Sequence, residues 1–241
     1  IVRETEQFYA YNHASGDTLY QTNSREIFES LLDWLSSELW EPKVVETELL
    51  RKACKKFYLD KTFERLDLYF SKYERHLEPK IINGIHLPDV LSLLDNVDTE
   101  SLLNGRASFI HGDLQFDNIL FDERQNKFLL LDWRHDFAGN VEFGDLYYDI
   151  AKLKGGLIVN YDLVKKNQMT YEENGHESRF SIQSRAIMSD YIKTLDGFVI
   201  SRNLDLKKLN TLVGIIYINM APLHHYPFDK LLMSLGRTKI Y

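Results

Sequence analysis

Between residues 107 and 132 the spacing of apolar residues changes character. The short runs SFIH, NILF and FLLLDW are separated by the polar stretches GDLQFD and DERQNK. Apolar runs this short, bounded by turn-forming residues, predict buried strands joined by tight loops. On either side the period is helical. Phe28, Leu31, Leu32, Leu35 and Leu39 recur at three- and four-residue intervals, with Asn23 and Glu26 as a capping pair in front and Pro42 as the stop behind. Residues 46–73 continue in the same period as two helices bending near Asp60, and a short helix follows Pro88. After residue 144 come four more helical stretches: GDLYYDIAKLKGGL, SIQSRAIMSDYIKTLDGFVIS, LKKLNTLVGIIYIN and PFDKLLMSLG. The polar segment KKNQMTYEENGHESR predicts a surface loop, and EQFYAYN (6–12) a strand that ends in a turn at HASGD. The expected class is α+β, mostly helical, with one small β insertion that carries a polar cluster.

Composition narrows the functional classes. At 241 residues and 44% hydrophobic, the chain can bury a sizeable core, so general disorder is excluded. Acidic residues outnumber basic ones 36 to 29 and no basic block stands out, which argues against non-specific nucleic-acid binding. With one cysteine, Cys54, no internal disulfide can form, and a reducing, cytoplasmic setting is expected. In LLRKACKKFYL that thiol reads as a packing residue rather than a nucleophile. The longest apolar stretch, LNTLVGIIYINMAPL, is interrupted by polar residues and shorter than the roughly 20 residues of a spanning helix. The sequence opens on Ile1 with no signal-like basic start, so the expectation is either a processed chain or a piece of something longer.

The polar cluster lies in FIHGDLQFDNILF, residues 109–121. Phosphoryl transfer from a nucleotide to a hydroxyl needs a base to orient the acceptor and oxygen ligands that hold Mg²⁺ against the phosphates. Asp113 and Asn118 are five residues apart, the spacing of base and metal ligand in the catalytic loop H-R-D-x-x-x-x-N. Asp132 follows the apolar run FLLL, where a metal-binding Asp belongs, and Gly112 would let the backbone turn closely past the strand.

Taken together, HGDLQFDNILFD, LLLDWR and GDLYYDIA resemble the aminoglycoside phosphotransferase and choline kinase family, most specifically between residues 109 and 151. The resemblance implies the C-terminal, catalytic lobe of a protein-kinase-like fold. It implies Asp113 as catalytic base, Asn118 and Asp132 as Mg²⁺ ligands, His111 as a residue that orients the loop, and ATP, with GTP as an alternative, as phosphoryl donor. Extended backwards, FYAYNHASGDTLYQ looks like the last strand of a nucleotide lobe and its hinge, with Phe8, Tyr9 and Ala10 at the nucleotide. Residues 1–20 then belong to that lobe and hinge, and 21–241 to a helical catalytic and acceptor-binding lobe. Two departures stand out. Gln115 occupies the place where protein kinases often carry a Lys that touches the moving phosphate. No G-x-G-x-x-G and no G-x-x-x-x-G-K-[ST] occurs, so the nucleotide lobe is expected to be largely absent and the fragment inactive alone.

LDWRHDFAG followed by GDLYYDIAKLKGGL further resembles kinase-type proteins linked to bacterial capsule and surface-polysaccharide synthesis, some adjoined to nucleotidyltransferases. That implies a sugar, polyol or amino alcohol as acceptor, and a fused or associated nucleotidyltransferase as partner. An aminoglycoside acceptor is the alternative, with Asp136, Glu142 and Asp145 as a possible acidic rim. A catalytically silent kinase-fold scaffold is the rival from another class. Asp145 also reads as the cap of the helix beginning LYYDIAKL, and Asp149, facing inward one turn later, as a brace for the loop. Arg134 reads as a partner of Glu142 or as a clamp on an acceptor anion. The pairs His135-Asp136 and His224-His225 lack the spacing of a metal-hydrolase site.

Overall fold

A computed structural model describes residues 15–241, together with two short strands that pair antiparallel, β1 (Arg3–Glu4) and β2 (Tyr9–Ala10). Of the strand expected over 6–12, only Tyr9–Ala10 is among the described backbone. The hinge residue Phe8, and any nucleotide contact by Tyr9 or Ala10, lie outside the described residues.

The fold is mixed α+β, roughly half helical, with small sheets. Strand β3 (Asp17–Thr18) leads into α1 (Arg25–Trp34), whose apolar stripe buries Phe28, Leu31 and Leu32. The cap is Ser24 rather than Asn23: its hydroxyl accepts from the Ile27 amide at 3.2 Å and donates to Glu26 at 2.7 Å. A wide π-helical turn, Leu35–Leu39, ends this helix before Pro42. The predicted bend near Asp60 is a second such turn, Lys55–Asp60, set between α2 (Thr47–Cys54) and α3 (Lys61–Phe70). It turns Phe57 and Tyr58 into the core.

Beyond a hairpin of β4 (Ile81–Ile82) and β5 (Ile85–His86), the helix after Pro88 is two short ones, α4 (Val90–Asp95) and α5 (Thr99–Leu103), each capped by an Asp. Of SFIH only β6 (Ala107–Ser108) is strand. NILF and FLLL form β7 (Ile119–Asp122) and β8 (Lys127–Leu130), paired in register Ile119↔Leu130 and joined to β3 through Asp17↔Phe121. Strand β9 (Gly144–Asp145) pairs with β6 and opens α6 (Leu146–Ile158). A short α7 (Tyr161–Lys165) follows.

The segment expected as a surface loop is instead a β-hairpin, β10 (Met169–Asn174) and β11 (Glu177–Ile182), closed by Gly175-His176 with Gly175 at φ +60°. Strand β11 also pairs with β4, making a four-stranded sheet β10-β11-β4-β5. The chain ends in α8 (Ala186–Ser201), α9 (Leu206–Met220) and α10 (Phe228–Ile240). A Cβ on either Gly214 or Gly236 would lie 2.8 Å from the other's carbonyl oxygen, so α9 and α10 meet backbone to backbone. Helix α6 is buried from Tyr147 to Leu157, including Asp149, Lys152 and Lys154. No described helix is long and apolar enough to cross a membrane.

Candidate active site

The loop His111–Asn118 connects β6 to β7, and α6 runs behind it. Three positions on one side of that helix meet the loop. Asp149, fully buried, accepts from the His111 amide at 2.8 Å, the Gly112 amide at 2.7 Å and Trp40 Nε1 at 3.1 Å. Burial pushes its carboxyl up to about 6, against the pull of those three donors. Lys152, three residues on and therefore on the same face, reaches Asp113, with Nζ 2.6 Å from Oδ1. One turn further, Gly156 passes the backbone of Gln115 and Phe116, where a Cβ would sit 3.5 Å from the Phe116 nitrogen.

The imidazole of His111 is buried and ties the loop to β8. Its Nδ1 accepts from the Asp113 amide at 3.2 Å while Nε2 lies 2.9 Å from the Leu131 carbonyl, so the proton sits on Nε2. Burial holds this histidine below its ordinary pKa, which favours that neutral tautomer. Gly112 has φ +81°, and a Cβ there would meet Arg134 Cβ at 2.6 Å. Gly112→Ala is therefore expected to cost about 1–3 kcal/mol of stability, read as a lowered denaturation midpoint.

Asp113 is about three-quarters covered. Oδ1 accepts from Lys152 Nζ and, at 3.2 Å, from Gln115 Nε2. Its Oδ2 is 3.5 Å from Asn118 Nδ2, which donates more directly to the Asp113 carbonyl at 2.9 Å. The Asn118 amide is thus turned so that its oxygen is not used in holding the loop. Asp132, just past the end of β8, is exposed and has φ +55°, a left-handed conformation that Asp tolerates better than most residues. Among the described residues no group of three or more His, Cys, Asp or Glu is placed to hold a metal. The amide oxygen of Asn118 and the carboxylate of Asp132 fit the modest demand of Mg²⁺, which takes one or two protein oxygens and fills its octahedron with phosphate and water.

Of the expected acidic rim, Asp145 does not take part. Asp145 is fully buried, accepting from the amides of Arg106 (2.8 Å) and Tyr147 (3.2 Å) and from Tyr58 Oη (2.9 Å), so it caps α6 inside the core and cannot meet an acceptor. Asp136 closes its own turn by accepting from the Gly139 amide, and His135 Nε2 lies 3.1 Å away. Glu142 is exposed, and Arg134 does not pair with it. Instead the Arg134 amide donates to the His111 carbonyl at 3.1 Å and its guanidinium lies over the Phe57 ring, 5.0 Å from the centroid. Cys54 is buried and burial pushes its thiol up, which leaves it inert; His224 packs on Phe228, with centroids 4.8 Å apart.

Two charged residues were not singled out by the sequence reading: Lys152, which pairs with Asp113, and Lys61, which lies over the Phe57 ring that Arg134 also covers. The signal for the first was present: a lysine inside an almost wholly apolar helix, three residues after an inward-facing Asp, needs an anionic partner.

Phosphoryl transfer asks a protein mainly to position groups and supply charge, a task within the means of a short loop, a strand end and their support. Residues 60–175, from the start of α3 to the turn between β10 and β11, match the model described as the phosphotransferase enzyme family, APH. No curated protein and no solved structure matches the chain.

Proposed function

We propose that the protein transfers the terminal phosphoryl group of a nucleoside triphosphate, ATP or GTP, to a hydroxyl of a small molecule, with Asp113 as the base. The observation that carries this reading is the divided use of the Asp113 carboxylate. Oδ1 is engaged by Lys152 and Gln115, and Oδ2 is the oxygen left to accept from an incoming hydroxyl. Asp149 and His111 fix the backbone leading into Asp113 and Asn118 holds its carbonyl, so the carboxylate meets its acceptor without rearrangement. Lys152 supplies beside Asp113 the positive charge that Gln115 lacks, where negative charge shifts during transfer. Mg²⁺, held by Asn118 and Asp132 together with the phosphates, would neutralise the donor. In this reading residues 1–20 are the end of a nucleotide-binding lobe and 21–241 handle acceptor and metal. The likeness of LDWRHDFAG and GDLYYDIAKLKGGL to capsule-linked kinases supports a building block of surface polysaccharide as acceptor.

The test is ADP formation by the full-length protein with ATP and a panel of sugars, polyols and amino alcohols. ADP release that depends on the alcohol and falls to background with EDTA is the expected result. Nucleotide binding with no transfer to any alcohol would instead mark a silent scaffold.

A further inference from the structure

Four cations from three separate elements lie within reach of one another's charge, and one of them, Lys152, is paired with Asp113. Lys61 and Arg65 stand in the first turns of α3, Arg134 follows β8, and Lys152 comes from α6. The ring of Phe57, turned inward by the wide turn Lys55–Asp60, carries two of them: Lys61 Nζ is 4.3 Å from its centroid and Arg134 Cζ 5.0 Å. Arg134 starts over Gly112, the residue before Asp113, as the 2.6 Å approach to a Gly112 Cβ shows. Its Nε is buried without a hydrogen-bond partner. Among the described residues, Lys61, Arg65 and Arg134 form no ion pair; Lys152 is neutralised by Asp113 alone.

Like charges repel, and at Lys61 that repulsion adds to the effect of burial. Burial, followed by the charges of Arg134, Arg65 and Lys152, pushes its ammonium down to about 8, with only Asp136 working in the other direction. A half-buried cluster of this kind is destabilising unless an anion completes it, and an Arg fork beside a Lys matches a carboxylate or a phosphate.

We propose that the acceptor is an anionic alcohol, a small hydroxyl compound bearing a carboxylate or a phosphate, which Arg134 and Lys61 hold over Phe57 while its hydroxyl meets Asp113. This rests on the phosphotransfer reading and deepens it. A cationic acceptor such as an aminoglycoside or a choline-like alcohol is disfavoured by the same charges. Arg65 and Lys152 add to the field without having to touch the ligand.

The experiment compares matched acceptors on the full-length protein with ATP and Mg²⁺: glycerol, glycerate, glycerol 3-phosphate and serinol, then glucose, gluconate, glucose 6-phosphate and glucosamine. In at least one series an anionic member should exceed its neutral parent by tenfold or more in kcat/KM, and Lys61→Gln should bring the ratio close to one by raising the acceptor KM. Glycerate and gluconate against the two phosphates tells carboxylate from phosphate. Neutral or cationic members used as well as the anionic ones would overturn the proposal. So would a Lys61→Gln loss that appears in the KM for ATP and equally for all acceptors, because the cations would then serve the donor. If no alcohol is phosphorylated, the phosphotransfer reading fails by itself, and calorimetry without nucleotide decides this one. Tighter binding of an anionic member than of its parent, weakened at least tenfold in Lys61→Gln, upholds it; equal binding overturns it.

Discussion

Asp113→Asn is expected to lower turnover by about 10²–10⁴-fold with little change in the KM for ATP, because an amide can orient the acceptor hydroxyl but cannot take its proton. The same substitution removes the anionic partner of Lys152, which is only 7% exposed. An unpaired ammonium at that depth costs on the order of 1–3 kcal/mol, moderated by the open face that Asp113 presents to solvent. Lost activity could therefore be mistaken for lost folding. The double variant Asp113→Asn/Lys152→Met separates the two: its denaturation midpoint should recover toward the parent's while its turnover stays at the level of Asp113→Asn. Near-normal turnover in Asp113→Asn would remove Asp113 from the base role.

Lys152→Met carries the second large expectation, a loss of about 10²–10³-fold in kcat, the scale of removing one preorganised charge from a developing anion. Lys152→Arg should restore little, since the bulkier planar fork does not fit the place of an ammonium on a helix buried along its length. The decisive variant moves the charge back to the loop. Gln115 Nε2 already lies 3.2 Å from the same oxygen, so Gln115→Lys in the Lys152→Met background should recover a measurable part of the rate. Failure of that rescue, with the double variant folded, would show that Lys152 serves only to keep the loop in shape.

Much of the candidate site's arrangement was legible in the sequence because it is local. Asp113 and Asn118 share one loop, Gly112 announces a close turn by lacking a side chain, and Asp145 and Asp149 declare themselves by their places at the start of α6. What could not be read was pairing between distant segments. Lys152 meets Asp113 across 39 positions, and Lys61 meets Arg134 through a common ring, Phe57, that only the wide turn ahead of α3 presents to both. Asp145 left the expected acidic rim for the same reason: nothing local in GDLYYD says that this cap faces Tyr58 rather than water. The fold shows a parallel division. Helical periods reported the long elements. The β10–β11 hairpin was concealed by its polar composition, since one face of a small sheet at the surface needs few apolar residues, and Gly175 with its two-residue turn was the cue. The cap of α1 slipped by one residue because Asn23 and Ser24 are both good caps and only the backbone decides between them.

The contact between α6 and the loop also bears on how relatives of this chain are judged. Asp149 and Lys152 lie three residues apart on one helix, so the geometry of the loop and the charge beside its carboxylate are set by a single rigid rod whose remaining faces are buried. On the proposed reading, a loop with Gln115 in place of a lysine is complete, and its completeness is written 37 residues downstream of Gln115. Sorting such proteins into competent and silent members by the loop alone would miscount them; the count has to include what the helix behind it delivers.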